Sequence, residues 1–120
     1  MVRCRPFNQK EKDQGCKSII DINVEGRSVQ INKPGDEAAN KSYTFDGAYD
    51  DKTQQKLFYE DCCFSLVENV LEGFNGTVFA YGQTGSGKSF TMQGPNNAGS
   101  DMRGVTPNSF VHIFDAVKAS

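Results

Sequence analysis

The 120 residues hold no apolar stretch near the length of a membrane span, and no signal-peptide pattern precedes the first strand-like residues. No membrane insertion is therefore expected. Net charge is only −2, which offers nothing to nucleic acid or to an anionic membrane surface. The four cysteines, Cys4, Cys16, Cys62 and Cys63, lack any paired C-x-x-C spacing, which argues against zinc. Adjacent cysteines on a helix diverge, so Cys62 and Cys63 are not expected to bridge, and a reduced, cytosolic compartment is expected. The single histidine, His112, lies off the apolar stripe of its segment and is expected to face solvent rather than to catalyse. Internal repeats and low-complexity tracts are absent. Asn75-Gly76-Thr77 has the form of a glycosylation acceptor, but in a cytosolic chain it reads as a turn. Hydrophobic residues make up 37%, which suits a globular chain slightly poor in core formers; the length allows one small domain or part of a larger one.

Against these absences stands one complete motif. Gly82-Gln83-Thr84-Gly85-Ser86-Gly87-Lys88-Ser89 is a phosphate-binding loop of the form G-x-x-x-x-G-K-[ST]. The glycines let the backbone fold tightly, so that successive N–H groups point at a chain of phosphate oxygens. Lys88 can reach the β- and γ-phosphates, and the Ser89 hydroxyl can ligate the Mg²⁺ that bridges them. A helix starting near Lys88 would add its positive dipole end. The preceding Thr77-Val78-Phe79-Ala80-Tyr81 is apolar and rich in β-branched and aromatic residues, and it predicts a buried strand of a parallel sheet.

The rest of the chain alternates between the two periods. Met1 to Pro6 is strand-like, and residues 8–17 read as a polar surface loop. Ser18-Ile19-Ile20-Asp21-Ile22 and Ser28-Val29-Gln30-Ile31-Asn32 predict a hairpin across Glu25-Gly26-Arg27, followed by a strand at Ser42-Tyr43-Thr44-Phe45-Asp46. From residue 53 to 73 the period is helical, with Cys63, Val67, Val70, Leu71 and Phe74 on one stripe. Asp51 and Gln54 suggest a capping box, and Gly73 a helix-ending glycine. Residues 89–93 begin a helix that Gly94-Pro95 interrupts. Thr106 is then expected to cap a second helix with Pro107 at its first position, and Phe110, Ile113, Phe114 and Val117 form its stripe. A strand at the very start, and a helical pattern without a C-cap at the far end, predict a piece of a longer domain.

Phe79-Ala80-Tyr81-Gly82-Gln83-Thr84-Gly85-Ser86-Gly87-Lys88-Ser89-Phe90-Thr91-Met92 resembles the nucleotide-loop signature of kinesin motor domains. Further matches follow the family's order. Val2-Arg3-Cys4-Arg5-Pro6 is similar to its R-x-R-P strand and Phe45-Asp46 to its F-D pair. Gly73-Phe74-Asn75-Gly76-Thr77 fits the turn into its third strand, and Arg103-Gly104-Val105-Thr106-Pro107 its R-G-(I/V)-x-P segment. The resemblance covers essentially the whole chain. It implies an α/β P-loop NTPase fold, with a central, mostly parallel sheet flanked by helices and a small β-hairpin lobe. Residues 1–120 would be the N-terminal portion of a single motor domain, from the first strand through the helix after the phosphate loop. It further implies ATP and Mg²⁺ as ligands, with Arg3 and Pro6 on one side of the adenine and Phe90 near the other. An ordinary strand ending at a proline, and core packing of Phe90, are the plainer alternatives for those three.

The resemblance also implies a microtubule-stimulated ATPase as parent, with tubulin as partner and a downstream stalk for dimerisation. The expected place is the cytoplasm and cytoskeleton. Within the family, Ser89-Phe90-Thr91-Met92-Gln93-Gly94 resembles a ciliary-transport branch. Neither the switch I pattern N-x-x-S-S-R nor the switch II pattern D-x-x-G-x-E occurs in these residues, so no catalytic base is expected here and turnover by the piece alone should be nearly abolished. The main microtubule-binding segments are expected further on. The other class of reading is a truncated non-motor nucleotide-binding or dimer-interfering module. A GTPase is disfavoured because Asn32-Lys33-Pro34-Gly35 and Asn40-Lys41-Ser42-Tyr43 lack the aspartate of N-K-x-D.

Overall fold

In a computed structural model, which describes residues 1–96, 99 and 101–119 (Glu37 by its backbone alone), the chain divides into two compact units. The first, Met1–Lys52, carries β1 (Val2–Arg3), α1 (Gln9–Asp13), β2 (Ile20–Asn23), β3 (Ser28–Ile31), a 3-10 turn at Glu37–Ala39, β4 (Lys41–Thr44) and β5 (Ala48–Tyr49). The second, Thr53–Ser120, carries α2 (Gln55–Cys62), α3 (Phe64–Leu71), α4 (Lys88–Met92) and α5 (Val105–Ala119).

In the first unit β1 and β5 pair in parallel, Val2 opposite Ala48 and Arg3 opposite Tyr49. Strands β2, β3 and β4 form an antiparallel sheet in that order, with Ile22 opposite Val29 and Val29 opposite Tyr43. The predicted hairpin is present. Its turn is held by the Asn23 side chain, whose Oδ1 accepts from the Gly26 N–H at 2.9 Å, and Arg27 closes it in the left-handed region at φ 56°. Val29, Ala48 and Tyr49 are buried. The segment read as a loop from residue 8 contains α1. Asn8 accepts from the Glu11 N–H while Glu11 reaches back to the Asn8 N–H, a reciprocal cap that outweighs the polar composition. Arg5 grips Glu11 through both terminal guanidinium nitrogens, at 2.6 and 3.2 Å, which holds the Glu11 carboxyl below its usual range.

In the second unit the single helix expected over residues 53–73 is two. The chain breaks at Cys63, where φ is −121°. The buried face nevertheless runs on through Gln55, Phe58, Tyr59, Cys63 and Val67, so the break does not change which side faces inward. The cap is Gln54 without any side-chain bond; the expected Asp51–Gln54 box does not form, and instead Asp50 accepts from the Lys52 N–H at 3.1 Å. Gly73 ends α3 as expected. At φ 106° it donates to the Val70 carbonyl while Phe74 donates to that of Asn69, the paired bonds of a Schellman motif. Helix α5 begins one residue before Thr106, and Pro107 sits inside its first turn, where its missing N–H costs nothing.

The fold is α/β, with one parallel ladder and one antiparallel hairpin sheet. One element departs from expectation. Residues 77–81 form no strand, and Phe79 and Tyr81 are 83% and 96% exposed. A strand exists only through its ladder, and among the described residues none pairs with this segment. Its apolar, β-branched character therefore has no sheet to enter.

Candidate nucleotide-binding site

The loop at residues 82–89 is shaped by backbone conformations that only glycine takes easily. Gly85 and Gly87 lie at φ 83° and 100°. A Cβ on Gly82 would stand 2.4 Å from Ser86 Oγ, so a side chain here would force the Ser86 hydroxyl to turn away. Ser86 donates its N–H to the Gln83 carbonyl at 3.1 Å, folding the loop back on itself. Gly87 then serves as the left-handed cap from which α4 starts, and its carbonyl accepts from the Thr91 N–H at 2.9 Å.

The result is an open cleft of about 450 Å³ lined by Thr84, Gly85, Gly87, Lys88, Ser89 and Phe90. Lys88 and Ser89 are the first two residues of α4, so the ammonium and the hydroxyl leave the same turn of backbone. Lys88 has no ion-pair partner among the described residues. Helix α4 has only five residues, so its dipole is small, and the anion-binding character rests chiefly on the loop's backbone and on Lys88.

The donor set fits a nucleoside triphosphate with magnesium. Mg²⁺ keeps several waters and takes one or two protein oxygens together with phosphate oxygens. A lone Ser89 hydroxyl beside a glycine cradle meets that requirement, whereas no cluster of three acidic, histidine or cysteine side chains occurs among the described residues.

Residues 3–120 match the family model for the kinesin motor domain. The chain belongs to the kinesin motor domain family. It is 45% identical over 117 residues to kinesin-like protein klp-20 of Caenorhabditis elegans, an alignment covering 98% of this chain and 18% of the relative. To kinesin-like protein KIF3C of Mus musculus it is 42% identical over 122 residues, covering 100% of this chain and 15% of the relative. KIF3C of Bos taurus gives 43% over the same span. The kinesin chain described here thus spans less than a fifth of the length of these relatives.

Of the residues singled out from the sequence, all eight of the phosphate-loop motif lie in this loop and turn, and Phe90 lines the same cleft. Arg3 and Pro6 belong to the first unit: Arg3 is half-buried at β1 and Pro6 exposed just beyond it. Burial lowers the Arg3 guanidinium from its ordinary pKa, and it stays charged. The first unit has its own open cleft of about 510 Å³, with Cys4, Arg5 and Phe7 on one wall and Asp50 to Lys52 on another.

Two side chains in the kinesin chain carry more than their sequence positions suggested. His112 does not face solvent. Its side chain is 12% exposed, it stacks on Phe64 at a ring separation of 4.4 Å, and both ring nitrogens are engaged, by Tyr59 and Glu68. Its partners stand 44 and 53 residues away in sequence, beyond any local pattern. Gln55 is 4% exposed and bonds to the backbone beyond the phosphate loop; a glutamine at a helix start reads as surface, and nothing in its neighbours signals otherwise.

Proposed function

We propose that this chain binds ATP with Mg²⁺ through residues 82–89, as the nucleotide-binding part of a motor that couples ATP hydrolysis to movement along microtubules. The observation that carries the reading is the shape of that loop. Two glycines stand in the left-handed region, a third lies where a Cβ would crowd the Ser86 hydroxyl, and the Lys88 ammonium and Ser89 hydroxyl open onto one cleft.

In this reading the loop amides hold the phosphate oxygens, and Lys88 neutralises charge on the β- and γ-phosphates. Ser89 would supply a hydroxyl oxygen to Mg²⁺, and the ion would offset phosphate charge there. Phe90 packs on the adenine, a role that the sequence resemblance also gives to Arg3 and Pro6. None of these side chains is placed as a base for the attacking water. The two patterns that would position that water do not occur in these residues, so they bind and orient nucleotide rather than cleave it.

Family membership supports a microtubule, and hence tubulin, as the partner and the cytoskeleton as the location. The finer readings, a ciliary role and dimerisation through a stalk, rest on the sequence resemblance alone.

The test is microtubule-stimulated ATPase of this chain beside a longer chain that carries both switch patterns. Activity confined to the longer chain is the expected result. Activity of the 120 residues alone would overturn the division of labour argued above. Activity in neither would favour a nucleotide-binding module without motor function.

A further inference from the structure

Helix α4 is five residues long, too short to hold its own conformation in water, so something outside it must fix the turn that carries Lys88 and Ser89. Gln55, the first residue of α2, is the one buried polar residue among the described residues. Its Nε2 donates to the Phe90 carbonyl at 2.6 Å and lies 3.3 Å from the Met102 carbonyl. The first of these acceptors belongs to the residue directly after Ser89. The second sits where the excursion that leaves α4 returns towards α5.

The two ends of that excursion are pressed together beside it. Gly104 donates to the Gln93 carbonyl at 3.1 Å. A Cβ on Gly94 would stand 2.4 Å from the Met102 oxygen, and one on Gly104 would stand 2.6 Å from the Gln93 nitrogen. One amide group thus ties the phosphate-bearing turn to the point where the chain comes back. An amide is suited to this: it offers two N–H donors and no charge, so it can satisfy two buried carbonyls without a desolvated ion.

We propose that Gln55 is a positioning residue for the phosphate-binding turn, holding Lys88 and Ser89 in the geometry that a magnesium–nucleotide complex requires. The inference rests on the nucleotide reading above. Gln55 touches neither phosphate nor metal in this role; it acts through the Phe90 carbonyl.

The test uses the 120-residue chain and a fluorescent adenosine diphosphate analogue with Mg²⁺, measured for the unaltered chain, Gln55→Glu, Gln55→Met and Lys88→Ala. Gln55→Met keeps length and burial but cannot donate, and its affinity is expected to fall about tenfold while the helical circular dichroism signal remains. Gln55→Glu is expected to bind weakly at about pH 7.5 and to recover towards about pH 5.5, because a buried carboxyl takes up a proton readily and its O–H then donates to Phe90. A merely structural role would not give that recovery, and Gln55→Met should show none.

Unchanged affinity in Gln55→Met, with Lys88→Ala defective, would overturn the positioning role and leave the nucleotide reading standing. A Gln55→Glu chain that stays folded but shows no gain at lower pH would also count against it. No binding by the unaltered chain would overturn the nucleotide reading, and this inference with it.

Discussion

The Tyr59 hydroxyl and His112 Nδ1 stand 2.7 Å apart, with His112 Nε2 a further 2.6 Å from Glu68 Oε1. Burial raises the Tyr59 pKa, so the phenol keeps its proton and can donate to the ring. With Nδ1 accepting from Tyr59, the Nε2–H of His112 donates to Glu68. The cluster joins α2, α3 and α5 of the second unit through one side chain. His112→Leu should cost about 2 kcal/mol, because the buried Tyr59 hydroxyl loses its acceptor. Glu68→Ala should cost less than about 0.5 kcal/mol, since that carboxylate is 48% exposed. Urea unfolding of both variants measures the difference; equal losses would show that the Tyr59 bond is not the dominant one.

Lys88→Ala removes the cation that faces the cleft. A charge-assisted bond to phosphate contributes about 1.5–3 kcal/mol, so nucleotide affinity should fall by about tenfold or more. Titration calorimetry with Mg-ATP reads this directly. Affinity equal to that of the unaltered chain would remove Lys88 from the phosphate site.

Gly104→Ala should damage the junction of α4 and α5. The added methyl would meet backbone atoms of Met92 and Gln93 at 2.6 Å, and backbone cannot yield as a flexible side chain does. A loss of about 2 kcal/mol or more is expected. Gly99 has nothing among the described residues within 4 Å of its Cβ position, so Gly99→Ala should change stability by no more than about 0.5 kcal/mol. Thermal unfolding of the pair measures the difference; equal melting temperatures would contradict the steric argument at Gly104.

Cys62 and Cys63 sit at the break between α2 and α3. The hydrogen bond from the Cys63 thiol stabilises the Cys62 thiolate and pulls its pKa down to about 7. The same bond, together with burial, pushes Cys63 up. Alkylation of Cys62 by iodoacetamide requires the thiolate, so its rate should rise with pH and reach half its plateau near pH 7. Cys63→Ala removes the donor and should move that midpoint upward. Peptide mass spectrometry resolves Cys62 from the other thiols; an unmoved midpoint would refute the thiol–thiol bond.

The uncharged run at residues 77–81 presents Phe79 and Tyr81 to solvent without a ladder partner among the described residues. Such an apolar segment of high β-propensity invites pairing with another copy. Sedimentation should show concentration-dependent self-association, reduced in Phe79→Lys. A concentration-independent monomer that melts in one sharp transition would contradict this.

Much of the site was legible in the order of residues. Lys88 and Ser89 follow glycines whose positive φ shapes the loop, and those preferences act within single residues. The Asn23–Gly26 turn and the Gly73 helix end are equally local, closed by bonds that span three to five positions. The α1 cap was local too, written in Asn8 and Glu11, though the polar composition around them pointed to a loop.

What the tertiary structure alone decided involves partners that packing brings together from far along the chain. Gln55 reaches carbonyls 35 and 47 residues away, and His112 its two partners across comparable gaps, so no periodicity or spacing could announce either. Residues 77–81 make the same point from the other side. Their composition sets a readiness to pair, but a strand is a relation between two segments, and only the folded chain decides whether the second is there.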